Sequence, residues 1–214
     1  MGDRAAILER LRGASRPAER PRPWLTRRTF ENPVDRFCEC LTNLKGDVRR
    51  AESAEAAWTI VDNLLDEMDA HSVVINQEPP VDGMDTVARW PERTCYVVGE
   101  SEGDLKAFCA DCDVGLTGVS AALVETGSLI VESGEGRSRL ATLLPPVHIA
   151  MVRVSRLTTD LFTWTAGRGD HIPTNVTVIS GPSKTADIEF TLTLGAHGPK
   201  RLIAVVYEDG EMDS

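Results

Sequence analysis

The alternation of short apolar runs with segments of helical periodicity is the feature that most constrains how this chain can fold. The apolar runs lie at residues 71–76, 94–99, 114–117, 128–133, 148–155, 175–180 and 201–208. Helices are expected between them, at residues 102–110, 118–125 and 156–166. The runs lack strict polar alternation, which favours strands of a mostly parallel sheet covered on both faces. The predicted fold class is therefore α/β, as a three-layer Rossmann-like sandwich.

The N-terminal part of the chain has a different character. A short helix is expected over residues 3–12, and the proline- and arginine-rich segment after it is typical of an extended arm. Amphipathic helices are expected at residues 34–45 and 52–69. We therefore predict a basic Arg/Pro-rich arm over residues 1–33 and one folded domain over residues 34–214.

Charge is unevenly distributed along the chain. The 214 residues have a formal net charge of −10; residues 1–50 carry +5, so residues 51–214 carry −15. Nucleic acid is excluded as a partner of the acidic part, because phosphate contacts need clustered cations. The basic arm is either a solvated tail or a contact for an acidic partner or RNA. No apolar run approaches the ~20 residues of a membrane span, and no secretion signal is recognisable, so we expect a cytoplasmic location.

The five cysteines predict reduced thiols rather than disulfides, because their number is odd and no secretion signal accompanies them. Cys109 and Cys112 have the spacing of a zinc-ligand pair, but Cys38 and Cys40 are too closely spaced and too distant in sequence to complete the site. We predict no metal site. The G-x-G-x-x-G motif of dinucleotide-binding domains and the G-x-S-x-G motif of hydrolases do not occur.

The first chemically suggestive stretch covers residues 115–149. A strand is expected to end at Thr117, Gly118 to permit a tight turn, residues 119–124 to form a short helix, and residues 125–128 to turn into the next strand. A glycine turn between a strand end and a helix start is where α/β sheets bind ligands. Tight-turn packing explains the same residues, so both interpretations remain open.

The second stretch is SGPSKTADIE, at residues 180–189. A phosphate-binding loop of the G-x4-G-K-S/T type is excluded, since Val178 and Ser183 stand where its two glycines belong. Ser183 or Thr185 is instead expected to cap a helix start. Free backbone N–H groups there, together with Lys184, suit a carboxylate or a phosphate. A plain capped turn is the alternative.

The third stretch is LGAHGPKRL, in which His197 lies between glycines. A histidine in such a turn is exposed enough to act as an acid or a base near neutral pH. It is equally able to bond only backbone carbonyls. His148, at the start of an apolar run after two prolines, is interpreted as structural.

Three segments together resemble the LUD domain, the family of the lactate-utilization proteins. They are GLTGVSAALVETGSLIVES, RLATLLPPVHIAMV and ISGPSKTADIEFTLTLGAHGPKRLIAVVYEDG, and the resemblance extends over roughly residues 35–210. The cysteine-rich, ferredoxin-like extension of the B-type members is lacking, so the chain is similar to the C-type members. The resemblance implies a fold of the NagB/RpiA/CoA-transferase-like type.

The resemblance also implies a function. The chain would be a subunit of a complex that oxidises L-lactate to pyruvate, with iron–sulfur clusters on partner subunits, no cofactor of its own, and no activity alone. Two alternatives remain. The chain could be a stand-alone enzyme of the same fold acting on a phosphate or thioester substrate, or a non-catalytic assembly subunit.

On the lactate hypothesis, the matching positions receive roles. The catalytic candidates are His197 as acid–base group, with Glu125 and Asp187 orienting it or competing for protons. Lys184 and the backbone of residues 183–185 would hold a lactate- or pyruvate-like anion. The full set of expected substrate-binding residues is Thr117, Thr126, Gly127, Ser128, Gly181, Ser183, Lys184, Thr185 and Gly198.

Overall fold

A computed structural model describes residues 3–14, 24–169, 172–186, 192–194 and 197–209 of the chain. The helices are α1 (Asp3–Ala14), α2 (Pro33–Asn43), α3 (Ala54–Glu67), α4 (Thr86–Arg89), α5 (Leu105–Asp111), α6 (Leu140–Leu143) and α7 (Leu161–Gly167). The strands are β1 (Asp47–Ala51), β2 (Ser72–Ile75), β3 (Thr94–Val97), β4 (Val114–Thr117), β5 (Ala121–Leu123), β6 (Ser128–Ser133), β7 (Val147–Arg153), β8 (Leu157–Thr158), β9 (Asn175–Ile179), β10 (Lys184–Ala186), β11 (Leu192–Leu194) and β12 (Arg201–Tyr207).

The main sheet has six strands in the order β1-β12-β7-β4-β2-β3. All of its pairings are parallel. This arrangement confirms the predicted α/β fold class. From β2 the chain moves outward to β3 and then returns to β4 on the other side of β2. In open parallel sheets such a reversal leaves a crevice at the carboxyl ends of the two strands, where ligands bind.

Helix α3 covers one face of the main sheet. Its N-terminus is capped by Ser53, whose Oγ accepts a hydrogen bond from the Ala56 N–H at 3.2 Å. Apolar residues at helical spacing then point to the sheet and are buried: Ala57, Val61, Leu64 and Leu65. They pack in one cluster with sheet residues that include Ile75, Leu116, Ile149 and Val205. The expected amphipathic helix at residues 52–69 is thereby confirmed.

A second sheet, ordered β8-β5-β6-β9, packs near the opposite face of the main sheet. Ala122, Leu129 and Val131 from its strands cluster with residues of α2, β7 and β12. Ala121, Leu123 and Ile130 point the other way and pack with Trp164 of α7. The runs at 128–133 and 175–180 therefore form an antiparallel pair in this second sheet rather than strands of the parallel one.

Two local predictions were wrong, and a third was only partly right. Residues 118–125 form no helix: β5 lies there, because alternate side chains face two different apolar clusters. Residues 184–186 form β10, paired with β11, instead of a helix start. In the third region, 156–166, only the end is helical; α7 begins after Asp160, whose Oδ1 accepts from the Thr163 N–H at 2.8 Å.

Strand β1 was not predicted from the sequence. The strand at residues 71–76 was therefore wrongly taken as the first one. Within the described part of the chain, strand β1 lies at the edge of the sheet beside β12, and its Arg49 and Arg50 are exposed. Such a strand shows no apolar run. Among the described residues, the helices include none with the length and apolar character needed to cross a bilayer.

Candidate functional site

A polar cavity lies at the carboxyl edge of the parallel sheet, where the strand order reverses between β2 and β4. Glu78 follows β2, Ser120 follows β4, and Arg156 follows β7. The second sheet and the end of α7 close the opposite wall with Glu132, Arg137, Trp164 and Arg168. The volume is about 470 Å³. We call this site the carboxyl-edge cavity.

Two neighbouring segments fix the position of Glu78 in this cavity. A Cβ at Gly118 would lie 2.3 Å from the Pro79 carbonyl oxygen and 2.9 Å from Glu78 Cγ, so only glycine lets β4 end against this segment. The loop after β6 fixes the other side: the Ser138 N–H donates to Asn76 Oδ1 at 2.9 Å, and the Gln77 N–H donates to the Gly136 carbonyl at 2.8 Å. Glu78 is therefore anchored by its neighbours.

Glu78 is a buried carboxyl group in a polar cavity. Only 4% of its surface is exposed, and its Oε1 has no hydrogen-bond partner among the described residues. Burial raises the pKa of Glu78 to about 7, against the opposing charge of Arg137. Glu132 and Asp82 add to the rise, whereas a hydrogen bond from Asn76 works against it. Both protonation states are therefore accessible near neutral pH.

Arginines give the carboxyl-edge cavity its positive charge. Arg137, Arg156 and Arg168 line it together with the two glutamates. Arg168 Nη2 lies 3.3 Å from Glu132 Oε1, and its guanidinium stacks 4.5 Å from the centre of the Trp164 ring. Guanidinium groups bind carboxylates and phosphates in planar geometry, so this cavity suits a small anion.

The motif residues of the sequence collect elsewhere, around the C-terminal end of α2. A Cβ at Gly127 would lie 2.3 Å from the Leu41 nitrogen, and one at Gly181 would lie 2.6 Å from the Leu44 carbonyl oxygen. Both glycines have positive φ, 67° and 97°. Lys184 Nζ donates to the same Leu44 carbonyl at 2.5 Å. We call the motif residues that surround Cys40–Leu44 the α2-end cluster.

Hydrogen bonds link the remaining members of the α2-end cluster. Ser128 Oγ lies 2.8 Å from Thr126 Oγ1 and 2.7 Å from Ser180 Oγ. The Ser183 N–H donates to the Pro199 carbonyl at 2.9 Å. The exposed His197 donates its backbone N–H to Ser183 Oγ at 3.4 Å, and Gly198 packs on the same serine. His197, Gly198 and Pro199 lie just before β12, at the amino end of the parallel sheet.

Glu125 and Thr126 line a second cavity beside this cluster. Its volume is about 560 Å³, and its walls are mainly apolar, formed by Leu44, Leu123, Leu161, Phe162 and Val178. The Glu125 carboxylate forms an ion pair with Arg28, and Trp24 packs edge-on against Phe162 at 4.9 Å between ring centres. The segment before α2 therefore lies against this cavity.

Of the remaining predicted residues, Thr117 lies outside both sites. Thr117 is fully buried, and its Oγ1 lies 2.9 Å from His148 Nε2. His148 is also fully buried, and burial lowers its pKa to about 4, which agrees with the structural role expected for it. Asp187 lies outside the described residues. The backbone of Thr185 belongs to β10, and its side chain is not among those that the structure describes.

Sequence reasoning missed the residues that give the carboxyl-edge cavity its chemistry. They are Glu78, Glu132, Arg137, Arg156 and Arg168. The one available signal was the position of Glu78, just after an apolar run and before two prolines. The position of Glu78 indicates a site only once the strand order is known, because that order places the end of β2 beside the end of β4.

Metal ligation finds no support in the described part of the chain, where no group of three or more His, Cys, Asp or Glu side chains is placed to hold an ion. All five cysteines are free thiols. Burial raises the pKa of Cys109 to about 11 and that of Cys112 to about 12. Both groups are thus protonated thiols at neutral pH.

The fold and the cavity define an α/β domain with a doubly wound parallel sheet and an anion-suited site at its carboxyl edge. Residues 34–207 match the family model of the LUD domain. The chain belongs to the LUD domain family.

Known proteins agree with this membership. The chain is 29% identical over 211 residues to Lactate utilization protein C of Halalkalibacterium halodurans, covering 94% of this chain and 91% of the relative. It is 40% identical over 104 residues to Lactate utilization protein C of an Exiguobacterium species, covering 45% of each chain. The crystal structure of a DUF162 family protein from Deinococcus radiodurans superposes with a TM-score of 0.55 at 19% identity, covering 86% of this chain and 99% of that one.

Proposed function

We propose that this chain acts in lactate utilization and that its carboxyl-edge cavity binds a small organic anion of the lactate or pyruvate kind. The observation that carries the proposal is the similarity, over 94% of this chain, to a protein named Lactate utilization protein C. The chemistry of the cavity supports it. A carboxylate fits the guanidinium groups that line the cavity, and the volume admits a three-carbon acid together with water.

We further propose that the chain works as one component of a lactate-oxidising complex in the cytoplasm. Conversion of L-lactate to pyruvate removes two electrons and two protons, so an electron acceptor is required. We expect that acceptor to lie on partner proteins with iron–sulfur clusters. Purified alone, this chain should therefore bind lactate or pyruvate without oxidising lactate.

Isothermal titration calorimetry with L-lactate, pyruvate and ribose 5-phosphate tests the ligand class. We expect the two acids to bind, and Arg137→Gln to weaken their binding at least tenfold, because a desolvated guanidinium–carboxylate contact is lost. The matched control is Arg36→Gln on α2, whose exposed guanidinium pairs with Glu39 at 3.1 Å. Binding of the sugar phosphate alone would favour the stand-alone enzyme acting on a phosphate.

Affinity purification from the native host tests the complex. We expect the tagged chain to bring down proteins that contain iron and labile sulfide. Deletion of residues 1–30 then asks whether the basic arm contacts these partners. Recovery of the chain without iron-containing proteins, under conditions of growth on lactate, would contradict the proposed complex.

A further inference from the structure

We propose that Glu78 is the acid–base group of the carboxyl-edge cavity and exchanges one proton with the oxygen on C2 of a bound 2-hydroxy or 2-oxo acid. This inference rests on the proposed function of the cavity and adds a residue and a role to it. The LUD-family motifs of the sequence do not include Glu78.

The first support is geometric. Glu78 lies at the reversal of strand order, anchored against Gly118, with Oε1 lacking a hydrogen-bond partner in the described structure. A buried polar atom without a partner is unfavourable by about 1–3 kcal/mol, so such atoms are retained where a ligand or water completes them. Glu78 lines the cavity, and a bound acid can supply the missing partner.

The second support is the electrostatic surroundings of Glu78. Burial and the carboxylates of Glu132 and Asp82 favour its neutral form, whereas Arg137 favours its charged form. Arg156 and Arg168 line the same cavity, and Arg168 pairs with Glu132. The resulting pKa of about 7 matches what proton transfer at neutral pH requires.

The two protonation states of Glu78 fit two different ligands. As a carboxylate, Glu78 accepts a hydrogen bond from the hydroxyl group of a 2-hydroxy acid. As a neutral acid, it donates one to the carbonyl oxygen of a 2-oxo acid. The arginines hold the ligand carboxylate in both cases.

The same states define the proton's path during oxidation. The hydroxyl O–H bond breaks and its proton passes to the Glu78 carboxylate, which becomes a neutral acid. The C2–H bond breaks, and its hydrogen leaves with the bonding electron pair to an organic hydride acceptor of the partner complex, from which the iron–sulfur clusters take the two electrons one at a time. The C2–O bond becomes a carbonyl. The reverse reaction returns the Glu78 proton to the oxygen.

Proton uptake on binding tests this role without any turnover. Calorimetry at pH 7 in two non-phosphate buffers of different ionisation enthalpy counts the protons exchanged. With Glu78 half ionised, pyruvate binding should take up about half a proton and L-lactate binding should release up to about half. Glu78→Gln should abolish both exchanges and keep pyruvate affinity within about threefold, since an amide also donates a hydrogen bond. The exposed Glu92→Gln should behave as the wild type.

The pH profile of the wild-type chain gives a second readout that needs no variant. The Kd for pyruvate should be constant below pH 6 and rise about tenfold per pH unit above pH 7, because only the neutral acid donates. A flat profile from pH 5.5 to 8.5, or equal proton exchange by wild type and Glu78→Gln, would overturn the role of Glu78 and leave the proposed function standing. Failure of both acids to bind at any pH would instead refute the proposed function.

Discussion

The carboxyl-edge cavity and the α2-end cluster are both built from polar residues, yet they differ in how those residues are satisfied. In the cavity, Glu78 is buried with one carboxyl oxygen unpartnered. In the cluster, Lys184 and Ser128 form hydrogen bonds, and Gly127 and Gly181 touch backbone atoms of α2. The residues that carry the family resemblance thus attach α2 to the domain, and the unpartnered carboxyl oxygen of Glu78 lies elsewhere.

The difference leads to opposite expectations for mutation. A satisfied, tightly packed cluster loses stability when it is altered, because clashes or orphaned groups are introduced. A buried carboxyl without its partner weakens the fold when it ionises, so neutralising it should stabilise the domain. Changes in the α2-end cluster should therefore mainly lower stability, whereas changes in the carboxyl-edge cavity should mainly alter ligand affinity.

The largest effect is expected for Gly127→Ala in the cluster. Its new Cβ would lie 2.3 Å from the Leu41 nitrogen at a φ of +67°, so α2 must move; we expect a loss of about 3 kcal/mol or more in the free energy of unfolding, measured by urea denaturation. Gly83→Ala is the matched control, because its φ is +70° but no atom lies within 4 Å of the new Cβ. It should lose only about 1 kcal/mol. Equal losses would show that α2 does not depend on this contact.

Glu78→Gln should change stability in the other direction. The folded-state pKa of Glu78 is raised from 4.5 to about 7, so its contribution to stability is complete below pH 4.5 and is lost as the pH rises to 7. At pH 8 the variant should be more stable than the wild type by about 3 kcal/mol, with little difference at pH 4.5. Urea denaturation at both pH values measures this. A constant difference would mean that Glu78 titrates normally in the folded chain.

The main sheet could be predicted because its central strands are buried on both faces. Residues 202–207 are continuously apolar for that reason, and the alternation of such runs with helices specified a parallel α/β sheet. Strand β1 could not be predicted, because an edge strand with exposed arginines resembles a loop. Residues 119–124 contain alanines, which favour helices in isolation, but burial between two apolar layers made them a strand.

The candidate site was harder to predict for a different reason. Motifs such as residues 180–185 are recognisable because several unusual residues are adjacent in sequence. Glu78, Glu132 and Arg168 each stand alone in sequence and become neighbours only through the strand order and the second sheet. Residues that are adjacent in sequence therefore indicated the α2-end cluster. The carboxyl-edge cavity can be found only when the order of the strands is known.

A smaller effect is expected for Lys184→Met, which tests whether the predicted anion ligand acts in the cluster. The variant removes the hydrogen bond from Nζ to the Leu44 carbonyl and should lower stability by about 1 kcal/mol. Its Kd for pyruvate, measured by calorimetry, should stay within about twofold of the wild type. A tenfold loss of affinity would support the prediction that Lys184 holds the anion.

The smallest effect is expected for Glu125→Gln, at the predicted catalytic glutamate. Its ion pair with Arg28 is partly exposed, with 60% and 31% of the two side chains accessible, and such pairs contribute at most about 1 kcal/mol. The free energy of unfolding should fall by less than about 0.5 kcal/mol. The single variant Arg28→Gln and the double variant with Glu125→Gln should give the same small loss. Pyruvate affinity should be unchanged. If Glu125→Gln instead weakened pyruvate binding tenfold while Arg137→Gln did not, the anion would bind beside α2, and the two regions would exchange their roles.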